Sequence, residues 1–158
     1  MLKCSFEDGN STSLRHCVVD VLVLRDSKIL LEKRTGKILE GGKWSLVGGY
    51  VERDETLVQA VRREIKEETG YEVERIQLLK IRDNPNRPHE DRQNISFVFV
   101  CRAGTKHGAS DWEVDDLQWF DLNNLPPKSE FAFDHYENIE LYLRAIADGL
   151  TPPVVLTI

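Results

Sequence analysis

The sequence predicts an α/β domain of the α+β kind, a mixed β-sheet with helices on its faces. Three observations carry this. Two β-branched and leucine-rich runs stand side by side near the start, a helix with marked ends occupies the middle, and further strand-like runs lead to a closing amphipathic helix. At 158 residues the chain is long enough for one sizeable core and shows no second block of different composition. Residues 1–158 are therefore read as one domain, with 1–15 as a flexible N-terminal segment.

The first strong periodic segment is HCVVDVLVLRDSKILLEKR, residues 16–34, where Arg25-Asp26-Ser27 separates two apolar runs with residues suited to a hairpin turn. Residues 35–55 follow with two glycine pairs, Gly41-Gly42 and Gly48-Gly49, around a short apolar stretch; this reads as a loop, a brief strand and a tight turn. Thr56 and Gln59 then form a capping-box pattern, and Gly70 stands just past the last periodic residue, so both ends of a helix are marked. VERIQLLKI and NISFVFVCR read as strands separated by the polar loop RDNPNRPHEDRQ, and LQWF as a shorter strand leading into DLNNLPP. In FDHYENIELYLRAIADG, Tyr136, Ile139, Leu143 and Ile146 recur at the spacing of a helix face laid on a core.

Composition excludes several classes. The chain is 41% hydrophobic and 30% charged, and no apolar run approaches the roughly 18 residues that span a membrane. The N-terminus lacks the basic-then-apolar layout of a secretory signal, which points to the cytoplasm. Cys4, Cys17 and Cys101 are odd in number and widely spaced, and are read as reduced thiols. A formal charge of −6 argues against a nucleic-acid partner gripped through its backbone. An acidic protein that handles phosphates needs a local basic pocket or bound cations. A homodimer stays open.

The helix carries the chemistry. At about 100° per residue, Leu57, Val58, Val61 and Ile65 share one arc, while Gln59, Arg62, Arg63, Lys66 and Thr69 fall opposite. Glu64 and Glu68 lie about 20° either side of Leu57, and Glu67 sits at the arc's edge beside Ala60. Three neighbouring carboxylates beside a core repel one another and lose solvation, which calls for a positive partner. Clustered carboxylates are hard-oxygen ligands suited to Mg²⁺ or Mn²⁺, ions that also coordinate substrate phosphates.

Gly49, five residues, Glu55, seven residues, Arg63-Glu64-Ile65, one residue, Glu67-Glu68, one residue, Gly70 and Tyr71 resembles the complete signature of the Nudix hydrolases, spread over 23 positions. GKWSLVGGYVE is similar to the family's approach to that box, and the resemblance extends over about residues 16–126. Val47 stands where many members have proline, and Tyr71 where an aliphatic residue is commoner. The resemblance implies an α/β/α sandwich and a metal-dependent pyrophosphohydrolase. It implies that Glu64, Glu67 and Glu68, with the Gly48 carbonyl, hold divalent ions that neutralise a substrate diphosphate and lower the pKa of an attacking water. Arg63, one turn before Glu67, either tethers that carboxylate or is a plain surface arginine. Glu52 and Glu55 either add outer ligands or hold the loop against the helix. Glu113, six residues before Trp119, matches a position where similar proteins carry a glutamate that reaches the metal cluster, the alternative being an exposed loop acid. Glu64, Glu68 and Glu113 are all candidates for the general base.

Specificity points to the loop RDNPNRPHEDRQ, where Arg82, Arg87, His89 and Arg92 suit phosphates or a ribose, and Glu90 and Asp91 suit metal or sugar hydroxyls, the alternative being a plain solvated connector. The stretch is loosely similar to one in the ADP-ribose pyrophosphatases of the family. Arg34, Trp44, Tyr50, Arg87 and Arg92 are the candidate substrate-binding residues, with a core role the safer reading for Trp44. The expected activity is hydrolysis of a nucleoside diphosphate linked to another group, ADP-ribose-like substrates being favoured. Alternatives are a nucleoside triphosphate pyrophosphohydrolase, an RNA 5′-pyrophosphohydrolase and a non-catalytic binding module.

Overall fold

The computed structural model describes residues 2–87, 92–108 and 114–150. The strands are β1 (Leu2–Ser5), β2 (Ser11–Leu14), β3 (Cys17–Arg25), β4 (Lys28–Arg34), β5 (Trp44–Ser45), β6 (Tyr71–Arg82), β7 (Ile95–Lys106) and β8 (Val114–Asp121); the helices are α1 (Leu57–Thr69) and α2 (His135–Ala147). Six strands form one mixed sheet in the order β5-β4-β3-β7-β6, with β8 paired to β4. Strands β3 and β7 run parallel, from Cys17 beside Ile95 to Leu24 beside Arg102; the remaining strand pairs are antiparallel.

The hairpin expected between β3 and β4 turns on Asp26 and Ser27, Asp26 taking a left-handed φ of 53°. Period-two alternation then assigns faces. Val19, Val21 and Val23 point to a core shared with Val61 and Ile65 of α1, whereas Leu22, Ile29 and Leu31 point to a second core shared with Ile139 and Leu141 of α2. The helices thus cover opposite faces, and the fold is the α/β/α sandwich that the resemblance implies.

Helix α1 begins on the capping box, with the Thr56 side chain accepting from the Gln59 N–H and the Gln59 side chain accepting from the Thr56 N–H. It ends on Gly70, whose φ of 72° lets its N–H reach the Lys66 carbonyl. Two positions on the wheel differ from expectation. Val58 is exposed at 43%, while its neighbour Leu57 is the residue that packs against the core. Thr69 is buried, its hydroxyl satisfied by the Ile65 carbonyl at 2.5 Å. On α2, Ile139 is buried but Ile146 is exposed, the last turn placing Ala145 inward instead.

Other elements extend beyond the sequence reading. Strands β6 and β7 are each 12 residues long and pair along their length with register shifts. Residues 1–15, to which the sequence assigned no element, contain the β1–β2 hairpin, pairing Leu2 with Leu14 and Ser5 with Ser11. Tyr71 packs edge-on against Trp119, whose indole N–H points at the Tyr71 hydroxyl, so its polar tip is satisfied inside the core. Among the described residues, no helix is long and apolar enough to cross a membrane.

Candidate active site

The segment Leu46–Tyr50 forms the site's floor. It runs beside β3, with the Val21 N–H donating to the Val47 carbonyl at 2.8 Å and the Val19 N–H to the Gly49 carbonyl at 2.9 Å. The Leu46 N–H donates to Nδ1 of His135 on α2 at 2.9 Å, and the Gly48 N–H donates to Oε2 of Glu68 on α1 at 3.0 Å. The strip is therefore pinned from both helical layers. Only glycine fits its centre: a Cβ on Gly48 would lie 2.0 Å from the Val19 carbonyl oxygen, and one on Gly49 would lie 2.5 Å from Glu64 Oε1.

Over this floor, α1 presents its carboxylates as the sequence requires. Glu64 and Glu68 are 9% and 8% exposed, while Glu67 lies at the open edge. Arg63 is no surface arginine. It donates to both oxygens of Glu55 at 2.8 and 3.1 Å, to Glu64 at 2.9 Å, to Glu67 at 3.2 Å and to the Tyr50 carbonyl at 2.9 Å. It ties loop, helix and carboxylates into one frame, and these bonds, led by Glu55, raise its pKa further. Glu55 holds the loop, as it also accepts from the Glu52 N–H at 2.7 Å.

A fourth carboxylate, Glu32 of β4, comes from the sheet. It is 3% exposed and shares the α1 side of the sheet with Leu30, two residues earlier. The Ser45 hydroxyl donates to its Oε1 at 2.9 Å, and its carboxyl faces that of Glu68. Burial pushes the Glu32 pKa up to about 7, and burial together with Glu32 and Glu64 pushes Glu68 well above the usual carboxylate range. The signal was in the sequence: in KILLEKR, alternation places Glu32 with Leu30 on an apolar face.

A cavity of about 500 Å³ opens here, lined by these four glutamates and Arg63 together with Arg34, Tyr50, Arg92 and Phe133. The five expected substrate contacts separate. Arg34 lines the cavity, its Nε donating to the Leu39 carbonyl at 3.0 Å and its guanidinium lying 5.4 Å from the Phe133 ring. Tyr50 is 42% exposed, and its hydroxyl accepts from Arg92 at 2.5 Å. Trp44 is corrected: it is buried at 7%, edge-on to Phe120 in the α2-side core, and does not line the cavity.

Arg87 reaches the cavity wall but is not a free clamp. It is 7% exposed, donates to Asp134 Oδ1 at 2.9 and 3.1 Å, and lies 3.6 Å from Asp20. Arg82 is likewise turned to Asp134, at 2.5 Å, because that carboxylate is 1% exposed and needs cations. Asp20 also bonds the Ser96 hydroxyl and stands 3.6 Å from His135 Nε2. Burial pushes Asp20 up, but His135, Arg87 and Ser96 outweigh it and hold its pKa below the usual value. Burial keeps His135 neutral, with a pKa lowered to about 4. The sequence reading missed this network, although Asp20 inside an apolar strand was a visible signal. Glu113, His89, Glu90 and Asp91 lie outside the described residues.

These donors fit a divalent cation. Oε2 of Glu32 is buried and receives no N–H or alcohol O–H bond among the described residues, and the lack of a side chain on Gly49 lets the Glu64 carboxylate lie against the floor. Among the described residues no three acidic groups already converge on one point, and Arg63 holds Glu64 and Glu67 by hydrogen bonds.

The linkage has a definite sign. With its folded pKa raised to about 7 from 4.5, Glu32 favours the folded state at low pH, and that contribution is lost as pH rises through this window. His135, lowered to about 4 from 6.5, contributes the opposite slope between those values. Comparing melting temperatures with and without metal at each pH isolates the carboxylates. The metal-induced rise is expected to be larger at about pH 8 than at about pH 5.5; an equal rise at both would contradict ligation by this cluster.

A sandwich with a glycine floor and a helix of inward carboxylates tied by one arginine is an arrangement suited to metal-assisted hydrolysis of phosphoanhydrides. The chain belongs to the Nudix family: the family model for the NUDIX domain matches residues 14–142. It is a pyrophosphohydrolase, and enzymes of this family generally need a divalent ion. It is 41% identical over 127 residues to the ADP-ribose pyrophosphatase of Methanocaldococcus jannaschii, a match covering 80% of this chain and 72% of that one. It is 34% identical over 127 residues to the NAD-capped RNA hydrolase NudC of Pasteurella multocida, covering 77% of this chain but only 45% of that longer protein. Its fold is similar to the crystal structure of a UDP-X diphosphatase, with a TM-score of 0.71 and 28% identity over 90% of this chain and 68% of the other.

Proposed function

We propose that the protein cleaves the pyrophosphate of a nucleoside diphosphate linked to a second group, with ADP-ribose the favoured substrate and Mg²⁺ or Mn²⁺ the ion. The observation that carries this is the cavity itself, whose wall holds the carboxylates of α1 together with the Tyr50–Arg92 pair and the Phe133 ring. Its volume of about 500 Å³ exceeds what a diphosphate needs, leaving room for a base or sugar. The 41% identity to an ADP-ribose pyrophosphatase supports that choice.

Glu64, Glu67, Glu68 and the Gly48 carbonyl are the groups that would hold the ion. Bound there, it supplies neutralising charge to the phosphate oxygens and makes water a better nucleophile. Water oxygen forms a bond to one phosphorus, the bridging P–O bond breaks, and a carboxylate of the cluster takes the water's proton. Arg63 keeps Glu64 and Glu67 in place before the ion arrives, and the Gly48 N–H fixes Glu68. Tyr50 offers a ring face to a base, while Arg34 and Arg92 offer cations to phosphate or ribose oxygens.

The relatives that act on NAD-capped RNA support a second substrate, since NAD contains the same adenylate pyrophosphate joined to a ribose. A screen of ADP-ribose, NAD, nucleotide sugars, dinucleoside polyphosphates and nucleoside triphosphates, with products identified by mass, decides among them. Hydrolysis of triphosphates alone would overturn the proposal.

Arg92 is exposed and bonds only Tyr50 among the contacts described, so Arg92→Ala is expected to leave stability unchanged and to raise KM for ADP-ribose about tenfold with a smaller change in kcat. Steady-state kinetics check this; an unchanged KM would remove Arg92 from the substrate site.

A further inference from the structure

Resting on that metal-site reading, we propose that Glu32 is a further ligand of the divalent-metal centre, reaching from the sheet so that its Oε2 joins Glu68 in holding a cation between β4 and α1. Its two oxygens have unequal surroundings. Oε1 accepts the Ser45 hydroxyl at 2.9 Å and lies 4.0 Å from Arg34, whereas Oε2 is fully buried and, among the described residues, receives no hydrogen bond from an N–H or an alcohol O–H, the facing Glu68 carboxyl being the group against it. A glutamate retained only for structure would have donors on both sides, because an unsatisfied buried acceptor costs about 1–3 kcal/mol.

The carboxyl faces Glu68, itself buried and oriented by the Gly48 N–H. Two carboxyl groups meeting away from water need either a shared proton or a cation between them, and a cation is what a working metal site supplies. Arg63 does not supply it, since its hydrogen bonds go to Glu55, Glu64, Glu67 and the Tyr50 carbonyl. The Ser45 hydroxyl is donated from a residue with no exposure, so it holds the carboxyl group through Oε1 and leaves Oε2 as the oxygen available to a cation. A hard divalent ion satisfies that oxygen and neutralises the pair together. The ligand set then spans helix and sheet, so metal binding clamps β4 to α1.

The test is Mn²⁺ binding to the substrate-free protein, followed by the electron paramagnetic resonance of free Mn²⁺, for wild type, Glu32→Gln and Glu32→Asp, with melting curves alongside. Glu32→Gln keeps the size and the Ser45 bond, and is expected to bind Mn²⁺ about tenfold or more weakly, as for lost groups around other metal sites. Its metal-free melting temperature should equal or exceed that of wild type, because a repulsive charge is gone, and the rise on adding metal should shrink. A merely structural glutamate would lower the metal-free value and leave Mn²⁺ affinity alone. Glu32→Asp keeps the charge with a shorter reach and should fall between the two; it also provides the reading if the glutamine variant does not fold. If wild type binds Mn²⁺ and both variants bind it equally well, a shared proton alone neutralises the pair and the inference is overturned while the metal site stands. If wild type binds no Mn²⁺, both fall.

Discussion

Replacing Glu68 by glutamine is expected to lower kcat by about 10²–10³-fold, the loss typical of removing a group that stabilises transition-state charge. The substitution is close to isosteric, and the amide oxygen still accepts the Gly48 N–H that now reaches Glu68 at 3.0 Å. What disappears is one negative charge from a cluster that includes Glu64 and Glu32. The metal-free fold does not suffer, because burial and those neighbours already push the Glu68 carboxyl well above its usual range. A large loss of kcat is thus expected with a metal-free melting temperature at or above that of wild type. Kinetics at saturating metal and substrate, with melts in chelator, check both halves. Near wild-type kcat would remove Glu68 from the reaction.

Arg87→Ala should act in the opposite way, through stability. Arg87 stands between Asp20 and Asp134, which are 7% and 1% exposed, and its removal leaves buried carboxylates short of a cation. Breaking one side of such a network costs about 3–5 kcal/mol, measurable by urea denaturation. Arg82 and His135 remain beside those carboxylates and set the lower end of that range. Asp20, held below its usual pKa, contributes stability that is present above about 3.8 and lost as pH falls through its folded value. The penalty of the variant should therefore shrink in acid. A change confined to KM, with stability intact, would show that Arg87 serves the substrate first.

That second case shows where sequence reading stops. The β3–β4 hairpin, the capped helix and its inward glutamates are written in local signals: turn residues, caps and a 3.6-residue period. The placement of Arg87 is not local. Its carboxylate partners lie 67 residues before it and 47 after, and only the folded sheet brings Asp20 and Asp134 to one side of it. A polar loop arginine therefore looks like a ligand clamp until its partners are seen. Glu32 was legible in principle, since alternation alone sets it beside Leu30, but its meaning depends on Glu68 standing across from it. The β1–β2 hairpin escaped because LKCS and STSL carry too few apolar residues for a period to show. Trp44 followed its size into the core, as the safer reading of that residue expects.

The most direct test of the central claim, that inward carboxylates hold an ion which drives pyrophosphate cleavage, is one incubation of the wild-type protein with ADP-ribose, with and without Mg²⁺ or Mn²⁺, and products identified by mass. The expected result is AMP and ribose 5-phosphate in equal amounts with metal present, and neither in excess chelator. Full turnover in chelator, or cleavage that leaves the pyrophosphate intact, would contradict it.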